Sequence, residues 1–245
     1  MMKWLDVSLA SPAENLALDE ALLDAAEAAT LGPCLRFWES PQPFVVLGYA
    51  NRIATESNRA ACGRLRVPVL RRCSGGGTVV QGPGVLNYAL VLPVDVNAAL
   101  ASISGANRFI MERNAAALGQ LVAQPVEVQG HTDLAIQGFK FSGNAQRRKR
   151  THLLFHGAIL LGLDIDLLEQ VLPLPSLQPD YRHARSHRDF LRPLAATADD
   201  VKTALRQAWS AHAALDLDSD WPAWRERVQA LVAEKYSCAG WNERI

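Results

Sequence analysis

Residues 69–88 read VLRRCSGGGTVVQGPGVLNY. A β-rich run enters Arg71 and Arg72, passes through Ser74 and three consecutive glycines, and resumes as a second β-rich run. Glycine costs about 1 kcal/mol inside a regular element, so Gly75, Gly76 and Gly77 mark a place where side chains are not tolerated. One use of such a place is close approach of backbone N–H groups to an anion, with adjacent arginines adding charge. The plainer use is a tight hairpin. No GK pair followed by Ser or Thr makes this a Walker A loop, and the spacing is not that of a GxGxxG dinucleotide turn.

Working outward, further β-rich runs fall at 35–39, 44–49, 67–71, 77–80 and 86–92, punctuated by Pro and Gly. More strands are predicted at 126–129, 133–136, 140–145 and 151–160. Residues 14–28 carry Leu16, Leu18, Ala21, Leu22 and Ala25 at mostly helical spacing, with Ser11 and Pro12 as start signals. Helices are also predicted at 106–122, 198–214 and 221–235, that at 198–214 opened by Thr197, Asp199 and Asp200. Long helices flanking a block of clustered strands, without βαβ alternation, predict an α+β fold: a mixed sheet with helices packed on it.

Composition excludes several classes. The chain has 245 residues and is 49% hydrophobic, too apolar for a disordered chain and long enough for a sizeable core. Its longest apolar stretch is interrupted by His156 and Gly157 and falls short of the roughly 20 residues that cross a bilayer. Lys3 and Asp6 break the N-terminal ten residues, which therefore lack a signal-peptide core. With 25 Lys+Arg against 25 Asp+Glu, neither nucleic acid nor a membrane is expected as partner. Cys34, Cys62, Cys73 and Cys238 are scattered without ligand spacing, which predicts reduced thiols and a cytoplasmic protein.

A second glycine-bearing stretch, 137–157, reads QGFKFSGNAQRRKRTHLLFHG. Strict alternation places Lys140 and Ser142 on one face of a strand that continues through Gly143, Asn144 and Ala145. A lysine there can supply a point charge to a phosphate or carbonyl oxygen, although a solvated surface lysine is the commoner case. The basic run 146–150 reads as a solvated hairpin tip. His152 and His156 share a strand face but stand about 13 Å apart, too far for one metal. His183 and His187 lie in a Pro-rich region of doubtful helicity, and no Ser-His-Asp order is recognisable from spacing. Cys73, beside two arginines, is a candidate thiolate; a packed thiol is the plainer reading.

Four ordered segments together are more specific. RRCSGGGTVV (71–80), GHTDL (130–134), KFSGNAQ (140–146) and FHGAILL (155–161) resemble, in order and approximate spacing, the lipoate–protein ligase A family. ENLALDEALL (14–23) resembles its opening helix and EKYSCAGWN (234–242) the end of its catalytic domain. The resemblance implies the biotin/lipoate ligase-like fold, also called class II aminoacyl-tRNA synthetase-like, as one catalytic domain over 1–245 without a C-terminal accessory domain. It also implies a reaction. ATP and Mg2+ activate lipoate or octanoate as the acyl-adenylate, which a lysine of an apo-lipoyl domain then attacks. That domain belongs to an E2 subunit of a 2-oxoacid dehydrogenase or to the glycine-cleavage H protein. A separate accessory subunit is a further partner implied for adenylation.

Carried over residue by residue, Lys140 is the catalytic lysine at the acyl carbonyl and α-phosphate. Arg72, Ser74, Gly75, Gly76, Gly77 and Thr78 form the loop over the acyl chain and phosphate, and Asp133 approaches the nucleotide and its magnesium. Ser142, Gly143, Ala145, His156 and Gly157 line the pocket, and Arg71, Gln81, Asn87 and Asn144 complete the binding set. Departures are also visible. Gln81 to Gly84 read QGPG, similar to the HGPG of LipB-type octanoyltransferases. Those enzymes form a thioester on a cysteine after the HG strand, where this chain has VLPLPS (171–176). A second octanoyltransferase group carries its cysteine before the K-x-x-G strand, where this chain has GHTDL. Thr132 replaces a residue that is often asparagine. An ATP-dependent lipoate–protein ligase is therefore expected first. The alternative is an ATP-independent octanoyl or lipoyl transferase working between carrier or lipoyl-domain proteins, and a non-catalytic binding module is the third reading.

Overall fold

The computed structural model describes residues 1–215 and 221–244. In chain order the strands are β1 (Lys3–Asp6), β2 (Cys34–Trp38), β3 (Phe44–Leu47), β4 (Val69–Arg71), β5 (Val79–Gln81), β6 (Val85–Pro93), β7 (Glu127–Gln129), β8 (Asp133–Ile136), β9 (Phe139–Arg148), β10 (His152–Leu160) and β11 (Ala213–Ala214). The helices are α1 (Pro12–Glu27), α2 (Ile53–Glu56), α3 (Arg59–Leu65), α4 (Ile103–Val122), α5 (Ile165–Val171), α6 (His187–Phe190), α7 (Ala198–Ala208), α8 (Trp221–Leu231) and α9 (Ala239–Asn242).

One mixed sheet runs β11-β1-β2-β6-β10-β9-β8-β7, and a small one runs β4-β3-β5. β6 is buried from Val85 to Leu92, a run apolar but for Asn87 and with no solvent face, and so takes a central place with antiparallel neighbours β2 and β10. Leu16, Leu18 and Leu22 of α1 pack on Ala89, Val91 and Leu154, forming one core layer. Ile110, Met111 and Leu118 of α4 pack on Leu90, Leu153 and Phe155 from the opposite side, with Val201 and Leu205 of α7 behind them. Each fully buried leucine contributes about 1.5–3 kcal/mol. The expected α+β mixed sheet with flanking helices is what the chain forms.

Local chemistry sets the ends. Ser11 Oγ accepts from Glu14 N while Glu14 Oε2 accepts from Ser11 N, with Pro12 in the first turn, so α1 begins where its cap demands. The helix expected at 198–214 stops at Ala208. Ser210 takes φ 52°, and residues 213–214 turn away to pair in parallel with β1. The helix expected at 221–235 widens into a π turn at Val232–Tyr236, which delivers Tyr236 Oη and Lys235 Nζ to Glu20. The parallel strand β1 and the short α2 and α3 carry too little periodicity to stand out in the sequence.

Residues 72–78 bridge β4 and β5, the two outer strands of the small sheet. Arg72 N donates to Leu47 O and Tyr49 N to Ser74 O, which pins the base of the glycine loop against the end of β3.

Candidate active site

The glycine loop is organised from beneath by Arg72. Its guanidinium donates to Gly75 O (2.5 Å), Gly77 O (2.8 Å), Val46 O (3.4 Å) and Ser74 Oγ (3.1 Å). It meets no carboxylate among the described residues, and burial pulls its pKa down to about 10. A buried cation facing only neutral oxygens is an unbalanced charge, and an incoming anion would balance it. Gly76 has φ +84°, and a Cβ there would meet Arg72 Nη2 at 2.8 Å. At Gly75 and Gly77 a Cβ would meet nothing within 4 Å. The protein itself therefore requires a bare backbone only at Gly76, and the other two glycines keep open space on the outer side of the loop. No described group accepts a hydrogen bond from the N–H of Gly75, Gly76 or Gly77.

Register places the loop and Lys140 together. His156 pairs with Ala145 and Ala89, and Ala158 pairs with Gly143 and Asn87; directly opposed residues share a face. A Cβ on Gly76 would lie 3.5 Å from Ala145 Cβ, and one on Gly143 would lie 3.0 Å from Lys140 Nζ. The loop and the ammonium thus stand over the same face, about 7 Å apart along the strand at two residues' rise. Lys140 pairs with Asp133 (Nζ–Oδ1 2.8 Å), whose other oxygen accepts from Tyr181 Oη at 2.8 Å. Burial and Asp133 raise the Tyr181 pKa, so the phenol stays a donor.

Three expected pocket residues face away. The register shift between Leu134 and Ala135 is a bulge in the β8–β9 pairing that carries Lys140 to the Gly143 face rather than that of Ser142. Ser142 Oγ accepts from Asn144 Nδ2 at 3.2 Å, and Asn144 Oδ1 accepts from Tyr88 Oη at 2.6 Å, on the α4 side. A Cβ on Gly157 would fall 1.7 Å from Asn144 Oδ1. Ser142, Asn144 and Gly157 therefore belong to the rear packing.

Arg71 is also withdrawn from any ligand. Its guanidinium is spent on the carbonyls of Gly48, Tyr49, Asn51, Trp241, Asn242 and Arg244. Gln81 Oε1 accepts from Asn87 Nδ2 at 2.9 Å, which keeps both on the site face beside Ala158. Thr78 Oγ1 donates to Asn51 Oδ1, and Thr132 Oγ1 donates to Asn144 O at 2.6 Å. Cys73 is buried against the α1 layer, and burial pushes its thiol up to about 12, so it is not the recruited thiolate. Both oxygens of Asp133 are occupied, and no group of three His, Cys, Asp or Glu among the described residues could hold a metal. Asp133, the residue expected to approach magnesium, is already engaged by Lys140 and Tyr181. An open hollow of about 450 Å³ between Ser8, Glu39, Pro41 and Pro83 lies away from Lys140 and the loop.

One constellation escaped the sequence. Ser74 Oγ lies 2.5 Å from His156 Nε2, and His156 Nδ1 lies 3.3 Å from Asp19 Oδ2. Arg36 Nη1 donates to Asp19 Oδ1 at 2.6 Å and to Asn15 O, and Nη2 donates to Asn15 Oδ1 and Val7 O, which fixes the guanidinium. Burial alone would raise the Asp19 pKa, but the charge of Arg36 and the hydrogen bond and charge of His156 outweigh it and hold the carboxyl below its ordinary value. The signal available was Asp19 as a charged residue on the apolar side of a Leu/Ala helix.

The profile of the family described as "Lipoyl protein ligase A/B catalytic domain" matches residues 11–210. The chain belongs to that family, and so to a class of lipoate ligase and transferase enzymes. Octanoyltransferase LipM of Kyrpidia tusciae is 30% identical over 276 aligned positions, covering 100% of both chains. That of Carboxydothermus hydrogenoformans is 29% identical over 268, covering 99% of this chain and 98% of its own. Among solved structures, the bi-partite lipoate protein ligase of Thermoplasma acidophilum superposes with a TM-score of 0.81 at 21% identity, covering 98% and 95%. A lipoate-protein ligase A bound with ATP gives 0.80 at 22%, covering 99% and 97%. At these identities the solved structures establish the fold alone. The full-length relatives overturn the first expectation: they are named octanoyltransferases, so the ATP-dependent ligase gives way to the alternative. No helix among the described residues is long and apolar enough to cross a membrane.

Proposed function

We propose that the chain transfers an octanoyl or lipoyl group from an acyl thioester on a carrier protein to a lysine of a lipoyl domain, without ATP. The observation that carries this reading is the end-to-end similarity to octanoyltransferases. The site chemistry agrees with it. Acyl transfer from a thioester needs a polarised carbonyl and stabilisation of the oxyanion that forms on it. The unpaired amides of Gly75 to Gly77 and the ammonium of Lys140 offer donors on one face, which Gly143, Ala145 and Ala158 line with small residues. Asn87, Gln81, Arg72 and Thr78 hold that face in shape. Lipoyl domains of E2 subunits or the glycine-cleavage H protein are the acceptors this reading implies; the Thermoplasma neighbour is described together with its E2 lipoyl domain.

The test is direct. Purified full chain is incubated with octanoyl carrier-protein thioester and an apo-lipoyl domain, without nucleotide, and the lipoyl domain is weighed by mass spectrometry. One octanoyl group on its lysine is the expected result. An unmodified domain under these conditions sinks the reading.

A further inference from the structure

The transferase reading leaves its nucleophile unassigned. Neither GHTDL nor VLPLPS supplies a cysteine, and Cys73 is a buried, protonated thiol. Ser74 stands where a nucleophile is needed. Arg72 Nε donates to Ser74 Oγ at 3.1 Å, so the hydroxyl's own proton is left to point at His156 Nε2, 2.5 Å away. The imidazole then accepts at Nε2 and donates from Nδ1 to Asp19 Oδ2. Asp19 is kept in place by the buried pair with Arg36. With a neutral imidazole that carries its proton on Nδ1, every donor in this relay has an acceptor, and that is the arrangement that activates a serine hydroxyl. In the chain the order is Asp19, Ser74, His156.

We propose that Ser74 Oγ carries the acyl group between the two half-reactions, with His156 as its general base and Asp19 and Arg36 as positioning residues. The proposal rests on the transferase reading. In the first half-reaction the Oγ–carbonyl bond forms, the hydroxyl proton passes to His156 Nε2, the C–S bond breaks, and the departing thiolate takes that proton as a thiol. In the second, the neutral ε-amine of the lipoyl-domain lysine attacks the ester carbonyl and gives a proton to His156. The amide forms, the Oγ–carbonyl bond breaks, and Ser74 recovers its proton. The amides of Gly75 to Gly77 are the donors for the oxyanion in both steps, and the Lys140 ammonium, about 7 Å along the strand, adds positive charge to the same face. Ser74 is 1% exposed beneath the three glycines, which would shield the ester from water until the acceptor arrives.

Full-length protein is mixed with octanoyl carrier-protein thioester alone, quenched in acid, digested and mapped by mass spectrometry. An octanoyl ester on Ser74, stable to neutral hydroxylamine, is expected. Ser74→Cys should convert it to a hydroxylamine-labile thioester at the same position. Ser74→Ala and His156→Gln should each slow transfer to the lipoyl domain about 100-fold or more. Transfer that persists in wild type and Ser74→Ala, with no adduct at position 74, overturns the proposal and leaves the transferase reading standing. A Ser74→Ala chain that loses melting temperature while wild type forms no adduct shows a loop tether and overturns it equally. Wild type that neither acylates itself nor modifies the lipoyl domain ends both readings.

Discussion

The two faces of the β9–β10 hairpin carry polar networks of opposite kinds. On the rear face, Trp209 Nε1 donates to Asn114 Oδ1, Asn114 Nδ2 to Tyr88 Oη, Tyr88 Oη to Asn144 Oδ1, and Asn144 Nδ2 to Thr132 O. Every link closes on another protein group, as a buried structural network must. On the front face, a few ångströms away through the same backbone, the network stays open. Arg72 has no anion, three loop amides have no described acceptor, and the Asp19–His156–Ser74 relay ends on a hydroxyl. Burial does not separate structure from function here, since Ser74 and Asn114 are both buried. What separates them is whether the donors and acceptors run out.

Disturbing the front face should cost activity, and disturbing the rear should cost stability. The largest effect is expected at Lys140. Lys140→Ala should lower the transfer rate about 10²- to 10³-fold through loss of the positive charge on the site face, with a smaller loss of stability from the broken, partly buried pair with Asp133. Turnover assays paired with thermal melts check this, and near-normal turnover would break the contrast. On the rear, Gly157→Ala drives a Cβ into Asn144 and Tyr88 and should cost about 3 kcal/mol. That corresponds to a melting temperature lower by about 6–12 °C for a domain of this size.

A third expectation concerns acid. The Asp19 carboxyl is held below its ordinary value of 3.8, so its contribution is present above that pH and is lost as pH falls through the folded-state value. Melting temperature should drop in that window, and Asp19→Asn should flatten that part of the acid limb. An unchanged limb in the variant would detach the relay from the fold's stability. The smallest effect is expected at Gly75. Gly75→Ala enters open space and should leave the unfolding free energy within about 0.5 kcal/mol of wild type, yet raise KM for the acyl donor several-fold. Equal KM values would mean that the space over the loop is not used.

Much of this contrast could be read in the sequence, and some could not. Apolar runs such as 86–92 and the Leu/Ala helix announced themselves because burial imposes composition and period. The loop and Lys140 were legible because bare backbone and a strand-borne ammonium are unusual in combination. The face of Lys140 was not, since a bulge is a register event between two strands and leaves no mark in one of them. Arg71 and Arg72 are indistinguishable as letters; one became a clamp and the other a loop scaffold only through residues 239–244, about 170 positions away. Asp19, Ser74 and His156 meet across β10, the glycine loop and α1, a juxtaposition that no local spacing encodes. The reaction class was not legible: the missing cysteines in GHTDL and VLPLPS pointed toward the ligase, and the end-to-end similarity to octanoyltransferases overturned that expectation.

The clamp around Arg71 also bears on the order in which the molecule matures. Six carbonyls from two segments far apart in the chain surround one guanidinium, so the root of the glycine loop is set only once residues 241–244 have docked beside 48–51. A folding intermediate arrested before that docking would own its large sheet and its closed rear circuit, and yet present no ordered loop to a donor.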